Sequence, residues 1–227
     1  PRDVLDAEVQ RIVELGVTIK YDTKVTDILE SMKTGKFDAA FLAVGAHIGK
    51  RTFIPAGDSA KILDAVSVLR SMEGEDQPML GRRVVVYGGG NTAIDVARTA
   101  RRLGATEAVI VYRRTREKMP AHDAEIEEAL QEGVMLKWLS TIREAGEEGA
   151  LTIEKMRLDE HGHPQPTGEF ETLQADSLVL ALGQDVDLSL LDGVPGLVLK
   201  DGIVQVDPAT MMTGHPGLFA GGDMVSA

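Results

Sequence analysis

Three consecutive glycines, Gly88–Gly90, follow the apolar run VVVY at 84–87 and precede a segment whose apolar residues recur at helical spacing. The run predicts a buried strand and the spacing predicts a helix. Within this strand–turn–helix context, Gly88-x-Gly90-x-x-Ala93 fits the fingerprint of a dinucleotide-binding turn, although a glycine triplet alone is usually a plain turn. The helix N-terminus would offer free N–H groups and its positive dipole end to a pyrophosphate that approaches Gly90.

Basic residues follow the next predicted strand, roughly 20 residues beyond the glycines, where NAD-binding proteins place an acid on the ribose hydroxyls. This sequence has Arg113 and Arg114 there, with Arg116 and Lys118 close behind, in a chain of net charge −12. Guanidinium groups pair bidentately with phosphate, whereas an acid would repel it. An exposed basic turn is the alternative interpretation. We therefore predict a site for NADP(H) rather than NAD(H).

Composition narrows the class of protein. The 227 residues are 43 % hydrophobic and 26 % charged, as expected for a globular chain of one or two domains. The acidic balance argues against nucleic-acid or anionic-membrane partners, and no apolar run approaches the ~20 residues of a membrane span. No secretion leader is apparent, so we expect a cytoplasmic protein. Because the chain has no cysteine, it forms no disulfide, thiolate nucleophile or Cys-ligated Fe–S cluster.

Strand-like and helix-like segments alternate along the chain, which predicts an α/β fold. The motifs AFLAVGA at 40–46 and LVLALGQ at 178–184 are similar: each predicts a buried strand that ends at a glycine. Such a pair is expected where a chain crosses twice between two domains. We predict a middle domain at 79–183, between two parts of a second domain at 1–78 and 184–227. The further elements expected are a strand at 17–20, a turn at 55–58, a helix over 62–72, a linker at 73–78, a strand at 134–139 and an antiparallel pair at 151–158 and 170–173.

The last predicted strand ends at Gly221, Gly222 and Asp223. Glycines permit a ligand to approach the backbone, and an Asp there can accept hydrogen bonds from sugar hydroxyls. Alone, this tripeptide is more often a plain turn.

Four motifs in order resemble the small (β) subunit of NADPH-dependent glutamate synthase and its relatives, which include the flavin module of dihydropyrimidine dehydrogenase and ferredoxin:NADP oxidoreductases. The motifs are GGGNTAIDVARTARRLGA at 88–105, VYRRTREKMPA at 111–121, ALG at 181–183 and LFAGGDMVSA at 218–227. The resemblance implies a Rossmann-like NADP-binding domain inserted in an FAD-binding domain, as in flavoproteins with two dinucleotide-binding domains. It also implies hydride transfer from NADPH to FAD and onward to Fe–S clusters of a partner subunit or domain.

The resemblance also assigns cofactor-binding residues by position. The pyrophosphate of NADP would be held by the glycine turn, its 2′-phosphate by the basic residues, its nicotinamide half by the motif at 181–183, and FAD by the last motif. The candidates are Gly88, Gly89, Gly90, Asn91, Thr92, Arg113, Arg114, Lys118, Ala181, Leu182, Gly183, Gly222 and Asp223.

Family members carry an N-terminal Fe–S segment and a first G-x-G-x-x-G turn for FAD, and this sequence contains neither. We therefore expect a fragment with a whole NADP domain, a truncated FAD domain and an incomplete FAD site, which would be inactive alone. A homo-oligomer is left open.

Three alternatives remain to be separated. One is a non-catalytic dinucleotide-binding module, and another is a ferredoxin-type NADPH oxidoreductase with a different acceptor. A methyltransferase also places a glycine loop after a strand, but adenosine hydroxyls usually call for an acid where Arg113 and Arg114 stand.

We predict no catalytic residue of the chain's own and no metal site. His161 and His163 are expected at a solvated hairpin tip because no further ligand spacing supports a metal.

Overall fold

The computed structural model describes residues 2–50, 52, 54–55, 61–72 and 77–225. Most of the predicted turn at 55–58 and linker at 73–78 lies outside these residues. The helices are α1 (Arg2–Glu14), α2 (Ile28–Gly35), α3 (Ala65–Ser71), α4 (Asn91–Arg102) and α5 (Asp123–Gln131). The strands are β1 (Ala40–Leu42), β2 (Ile48–Gly49), β3 (Lys61–Asp64), β4 (Arg83–Gly88), β5 (Glu107–Val111), β6 (Met135–Lys137), β7 (Ser140–Ala145), β8 (Ala150–Leu158), β9 (Pro164–Gln174), β10 (Ser177–Ala181), β11 (Gln184–Asp185), β12 (Leu199–Lys200), β13 (Ile203–Val204) and β14 (Leu218–Ala220).

The chain forms two compact units. The central unit is Val44–Asp187, and the terminal unit combines Pro1–Ala43 with Leu188–Ala227. The units therefore divide near the two repeated motifs, whereas the predicted first domain boundary lies at 78/79. The described residues between 44 and 78 thus fall within the central unit.

A five-stranded parallel sheet organises the central unit, with the strand order β3-β10-β4-β5-β6. The chain passes from β4 through α4 to β5 and through α5 to β6, and then returns to the other side of β4 as β10. The order of the strands thus reverses between β4 and β10. In open α/β sheets this switch point opens a crevice at the carboxyl ends of the strands.

Both faces of the parallel sheet are buried, which explains why its strands are apolar at nearly every position. Val84 and Val86 point to one face, where they pack with Ala93 and Ala97 of α4. Val85 points to the opposite face and belongs to a second core with Leu151 and other residues of an antiparallel sheet. The alternation of side chains along a strand therefore divides one continuous apolar run between two cores.

The second core covers the parallel sheet with an antiparallel sheet of order β7-β8-β9. The predicted pairing of β8 with β9 is confirmed. The strand predicted at 134–139 forms as β6, which pairs in parallel with β5, but it ends at Lys137. The chain turns at Leu139, where φ is +47°, and β7 joins a different sheet. His161 and His163 lie at the exposed tip between β8 and β9, where their backbone N–H groups donate to Asp159.

The helix predicted over 62–72 begins three residues late. Residues Lys61–Asp64 form β3, which pairs in parallel with β10, so the sheet extends beyond the predicted domain at 79–183. The helix α3 starts only after Asp64, whose carboxylate accepts a hydrogen bond from the N–H of Ser67 at 2.9 Å. Pairing with the existing sheet overrides the helical period at these positions.

The terminal unit contains the parallel pair β1–β14, the antiparallel pair β12–β13 and the helices α1 and α2. Leu42, Leu218 and Ala220 are buried, but Phe41 is 61 % exposed and α1 buries no side chain. The strand predicted at 17–20 does not form, and Val17 and Ile19 remain exposed. Among the described residues, no helix is long and apolar enough to cross a membrane.

Candidate functional site

The site is built where β4 and β10 end side by side. Gly88 is the register partner of Ala181 in this parallel pair. The φ of Gly88 is +155°, and a Cβ at this position would overlap the carbonyl oxygen of Ala181. A glycine is therefore required for the chain to leave β4 so close to β10.

A cleft of about 460 Å³ opens beyond these strand ends. This volume lies within the usual range for small-molecule sites, roughly 300–1,000 Å³. The lining residues are Thr52, Tyr87, Gly88, Gly89, Gly90, Thr92, Tyr112, Arg113, Arg114, Pro120, Ala181, Leu182 and Gly183. The structure thus brings together nine of the thirteen residues predicted from the sequence. These nine come from three separate sequence motifs, and all belong to the central unit.

The glycine turn faces the cleft with bare backbone. Gly90 has ordinary extended dihedral angles, φ −88° and ψ 175°, and a Cβ built on it would meet no atom within 4 Å. Gly90 is the N-cap of α4, and no side chain caps this helix end by a hydrogen bond. The first turn of α4 also contains no acid. The space beside Gly90 and the N–H groups of the helix N-terminus are consequently suited to an anion.

Tyr112 supports this turn from the end of β5. A Cβ at Gly89 would overlap the Tyr112 ring, which shows how closely the ring approaches the backbone. The Tyr112 hydroxyl donates to the carbonyl oxygen of Lys118 at 2.6 Å, and its ring meets Trp138 edge to face with centroids 6.4 Å apart. Tyr112 is therefore fixed by three different groups around the cleft.

Arg113 and Arg114 reach the cleft at the end of β5. Arg113 is exposed, and the Nε of Arg114 is buried without a hydrogen-bond partner. Within the described ranges, no carboxylate forms an ion pair with either guanidinium. Other arginines of the same unit are paired, including Arg116 with Glu127 and Arg98 with Glu132. The cleft thus carries two positive charges that no carboxylate of the described residues pairs with.

Two predicted residues of the central unit do not line the cleft. The Oδ1 of Asn91 accepts a hydrogen bond from the backbone N–H of His122 at 3.0 Å. Lys118 is exposed; its carbonyl oxygen accepts the hydrogen bond from the Tyr112 hydroxyl, and its backbone N–H donates to the carbonyl oxygen of Thr115 at 3.1 Å. The sequence pattern places both residues near the cofactor turn but does not reveal the direction of their side chains.

The last two predicted residues lie in the terminal unit. Gly222 and Asp223 follow β14 in a short 3-10 turn, and both are exposed. Gly222 has φ +68°, and a Cβ there would meet no atom within 4 Å. Gly221 lies against the Phe41 ring, which a Cβ would approach to 2.7 Å. This strand end therefore exposes backbone and one carboxylate.

Four lining residues were not predicted: Thr52, Tyr87, Tyr112 and Pro120. Tyr87 and Tyr112 each lie at or next to the carboxyl end of a predicted strand. That position could have identified them, because the ends of neighbouring parallel strands meet at the switch point. Pro120 and Thr52 carry no such signal in the sequence.

An ion-pair cluster joins α4 to α5 behind the cleft. Glu132 accepts hydrogen bonds from Arg98 and Arg102, each at 2.7 Å. These bonds lower the pKa of Glu132 from 4.5 to about 2. The cluster fixes the two helices whose N-termini flank the cleft. Among the described residues, no group of three His, Asp or Glu side chains could hold a metal ion.

Solved structures define the class of fold. The chain superposes on thioredoxin reductase from T. acidophilum with a TM-score of 0.64 and 17 % identity, over 83 % of this chain and 58 % of that one. A mutant of FprA from Mycobacterium tuberculosis gives a TM-score of 0.69 and 19 % identity, over 90 % and 62 % of the respective chains. The fold is therefore that of the flavoproteins with two dinucleotide-binding domains, and the predicted fold class is confirmed.

The chain belongs to the family described as Pyridine nucleotide-disulphide oxidoreductase, which it matches over residues 3–227. It is 40 % identical to the NADP(+)-dependent formate dehydrogenase subunit beta of Moorella thermoacetica, over 99 % of this chain and 34 % of that protein. It is 35 % identical to the NADPH-Fe(3+) oxidoreductase subunit beta of Geobacter sulfurreducens, over 98 % and 38 %. A putative glutamate synthase [NADPH] small chain of Cereibacter sphaeroides is 35 % identical, over 99 % and 59 %. The resemblance seen in the sequence is confirmed, and the chain spans about one third to three fifths of the length of these relatives.

Proposed function

We propose that the cleft of the central unit binds NADPH. The pyrophosphate would lie beside Gly90, within reach of the backbone N–H groups of Asn91 and Thr92 at the start of α4. The 2′-phosphate would lie between Arg113 and Arg114. The open space at Gly90, the uncapped helix end and the size of the cleft all fit this nucleotide.

The observation that carries the proposal is a pair of arginines, Arg113 and Arg114, for which the described part of the chain provides no carboxylate partner. Two unneutralised guanidinium groups in a strongly acidic chain favour an anionic ligand, and their position after β5 is where the adenosine ribose lies in a dinucleotide-binding fold. NADH has no phosphate at that place. The names of three related proteins also specify NADP(+) or NADPH.

We further propose that the chain is the NADPH-binding portion of a flavin-dependent oxidoreductase. NADPH supplies a hydride and FAD accepts it, so the chain's own residues bind and orient cofactors rather than act as acid or base. Ala181, Leu182 and Gly183 would line the nicotinamide half of the cleft. We propose the predicted domain assignment, with the segment 79–183 as the core of the NADP domain and the segments 1–78 and 184–227 as parts of the FAD domain, except that β3 and Thr52 of the first segment belong to the unit that forms the NADPH cleft.

The terminal unit offers part of an FAD site. The exposed carboxylate of Asp223 has no hydrogen bond or ion pair to the described residues, and Gly222 leaves open space, so both fit a sugar–phosphate segment. A second glycine turn at a helix N-terminus, which anchors the FAD pyrophosphate in two-domain flavoproteins, is not found in this sequence. We propose that the FAD site formed by these residues is incomplete, so that these residues alone would not transfer hydride.

We infer that the electrons pass to Fe–S clusters of a partner subunit. The support comes from the relatives, whose names as beta subunits or small chains imply other subunits in their complexes. A non-catalytic nucleotide-binding module and a ferredoxin-type NADPH oxidoreductase with a different acceptor are the alternative functions. Reduction of an added Fe–S protein by NADPH and the full-length flavoprotein would separate them.

Titration of the chain with NADPH, NADH and S-adenosylmethionine tests the nucleotide proposal. A charged hydrogen bond contributes roughly 1.5–3 kcal/mol, so NADPH should bind about ten-fold or more tightly than NADH. Replacing Arg113→Ala and Arg114→Ala together should remove this preference. The matched control, Arg82→Ala with Arg157→Ala, removes the same charge from two exposed sites outside the cleft. Equal affinities for NADPH and NADH in the unmodified chain would refute the assignment, and binding of S-adenosylmethionine alone would indicate a methyltransferase.

A further inference from the structure

Asn91 is the first residue of α4, directly after the glycine turn, but its side chain does not line the cleft. Its Oδ1 accepts the hydrogen bond from the N–H of His122. His122 is the N-cap of α5 and provides no side-chain cap for that helix. The start of α5 is thus tied to the start of α4 through one amide oxygen.

A second bond joins the same two segments. The N–H of Ala121 donates to the carbonyl oxygen of Gly89 at 3.1 Å. Residues 113–121, which we call the arginine loop, run from the end of β5 to this junction. The loop carries Arg113 and Arg114 and also contributes Pro120 to the cleft. The far end of the loop is therefore attached at two adjacent residues: Ala121 bonds to Gly89, and the next residue, His122, bonds to Asn91.

The near end of the arginine loop has independent anchors. The N–H of Leu139 donates to the carbonyl oxygen of Arg114 at 3.0 Å, and the Tyr112 hydroxyl holds Lys118. Without the Asn91 side chain, the far end of the loop would lose one of its two bonds. The bond from Ala121 to Gly89 would be the one that remains among the described hydrogen bonds at this junction. Leu139 and β5 would still hold the backbone of Arg113 and Arg114, but the rest of the loop would be less firmly set, and with it the placement of their guanidinium groups relative to the pyrophosphate position.

We propose that Asn91 is a positioning residue for selectivity: it ties the arginine loop to the glycine turn and so fixes the spacing between the 2′-phosphate and pyrophosphate sites. This inference rests on the proposed binding of NADPH in the cleft. It gives Asn91 a different role from direct contact with the pyrophosphate, which the family resemblance implies. A direct contact would serve NADPH and NADH equally, whereas a positioning role favours the nucleotide that reaches both sites.

The test compares NADPH and NADH affinities of the unmodified chain and Asn91→Ala. Loss of one hydrogen bond should weaken NADPH by about 3- to 10-fold and leave NADH nearly unchanged. In a background of Arg113→Ala and Arg114→Ala, Asn91→Ala should have no further effect on NADPH, because interacting residues are not additive. Thr106→Val is the control, since it removes a 3.0 Å side-chain bond to the Arg82 carbonyl at the opposite end of the sheet. An equal loss for both nucleotides, or no loss for either, would overturn the inference.

Hydrogen exchange without nucleotide tests the attachment itself. In Asn91→Ala, the His122 amide and the arginine loop should exchange faster, while strand amides keep their protection. Asn91→Asp retains an acceptor oxygen and should keep the His122 amide protected. Unchanged exchange in Asn91→Ala would overturn the inference. A chain without any preference for NADPH would refute the proposed function and the selectivity role together, and the exchange result would still decide whether Asn91 holds the loop.

Discussion

Substitution of Gly90 by valine separates the folding and binding roles of the glycine turn. The extended backbone at Gly90 is compatible with a β-branched residue, and a Cβ would project into open space. Glycine is a better N-cap than valine, so we expect the free energy of unfolding to fall by no more than about 1 kcal/mol. The valine methyl groups would instead occupy the space where the pyrophosphate must approach the backbone.

The expected loss of affinity follows from the contacts removed. If the pyrophosphate forgoes two charged hydrogen bonds of about 1.5 kcal/mol each, NADPH binding weakens about 100-fold. NADH should weaken equally, because Arg113 and Arg114 are unchanged. Isothermal titration with both nucleotides measures the two affinities, and thermal unfolding measures the stability.

The control places the same substitution at Gly146, an N-cap with extended backbone that precedes the short 3-10 turn between β7 and β8. Gly146 has φ −80° and ψ −169° and does not line the cleft. A Cβ at Gly146 would lie 3.3 Å from the Ala150 carbonyl oxygen, so Gly146→Val should cost stability without weakening nucleotide binding. A folded Gly90→Val chain that binds NADPH as tightly as the unmodified chain would show that the turn is structural only.

Three further outcomes are expected. Gly89→Ala should lower the free energy of unfolding by about 1–3 kcal/mol in chemical denaturation, because the new methyl group displaces the Tyr112 ring; unchanged stability would contradict the packing at this turn. The bonds from Arg98 and Arg102 hold the folded-state pKa of Glu132 below its ordinary value, so Glu132 stabilises the fold above about pH 4.5 and this contribution is lost as the pH falls towards 2. Glu132→Gln should therefore make unfolding less dependent on pH in this window, and an unaltered pH profile would refute the role of the cluster. The purified chain should be colourless and lack NADPH oxidase activity, and stoichiometric flavin absorbance would show that the FAD site is complete. The terminal unit should be less stable than the central unit or should self-associate through its exposed apolar residues.

The sequence predicts the cleft well because its components are local patterns that meet at one sheet edge. A glycine turn after β4, a basic pair after β5 and a small-residue turn after β10 each follow an apolar run. Parallel strands bring their carboxyl ends to the same edge, so the three motifs converge without further information. The prediction is silent on Tyr112 as a support for Gly89, because side-chain packing depends on the distance between neighbouring strands.

The errors in the predicted elements have tertiary causes. Ile62 fits the helical period of the following residues, but pairing with β10 draws it into β3. The strand predicted at 134–139 is shortened to Met135–Lys137, because the left-handed backbone at Leu139 redirects the chain into a second sheet. Val17 and Ile19 alternate as in a strand, but a strand requires a partner and these residues pair with none of the described strands. Sequence periodicity reports which residues prefer burial and does not report which partner covers them.

The structure of the chain with bound NADPH tests the central claim most directly. The account predicts that the nucleotide lies across the carboxyl ends of β4 and β10, with its pyrophosphate beside Gly90. It also predicts that the 2′-phosphate lies within hydrogen-bonding distance of the guanidinium groups of Arg113 and Arg114. A nucleotide bound elsewhere, or a 2′-phosphate that points to solvent away from both arginines, would contradict the account.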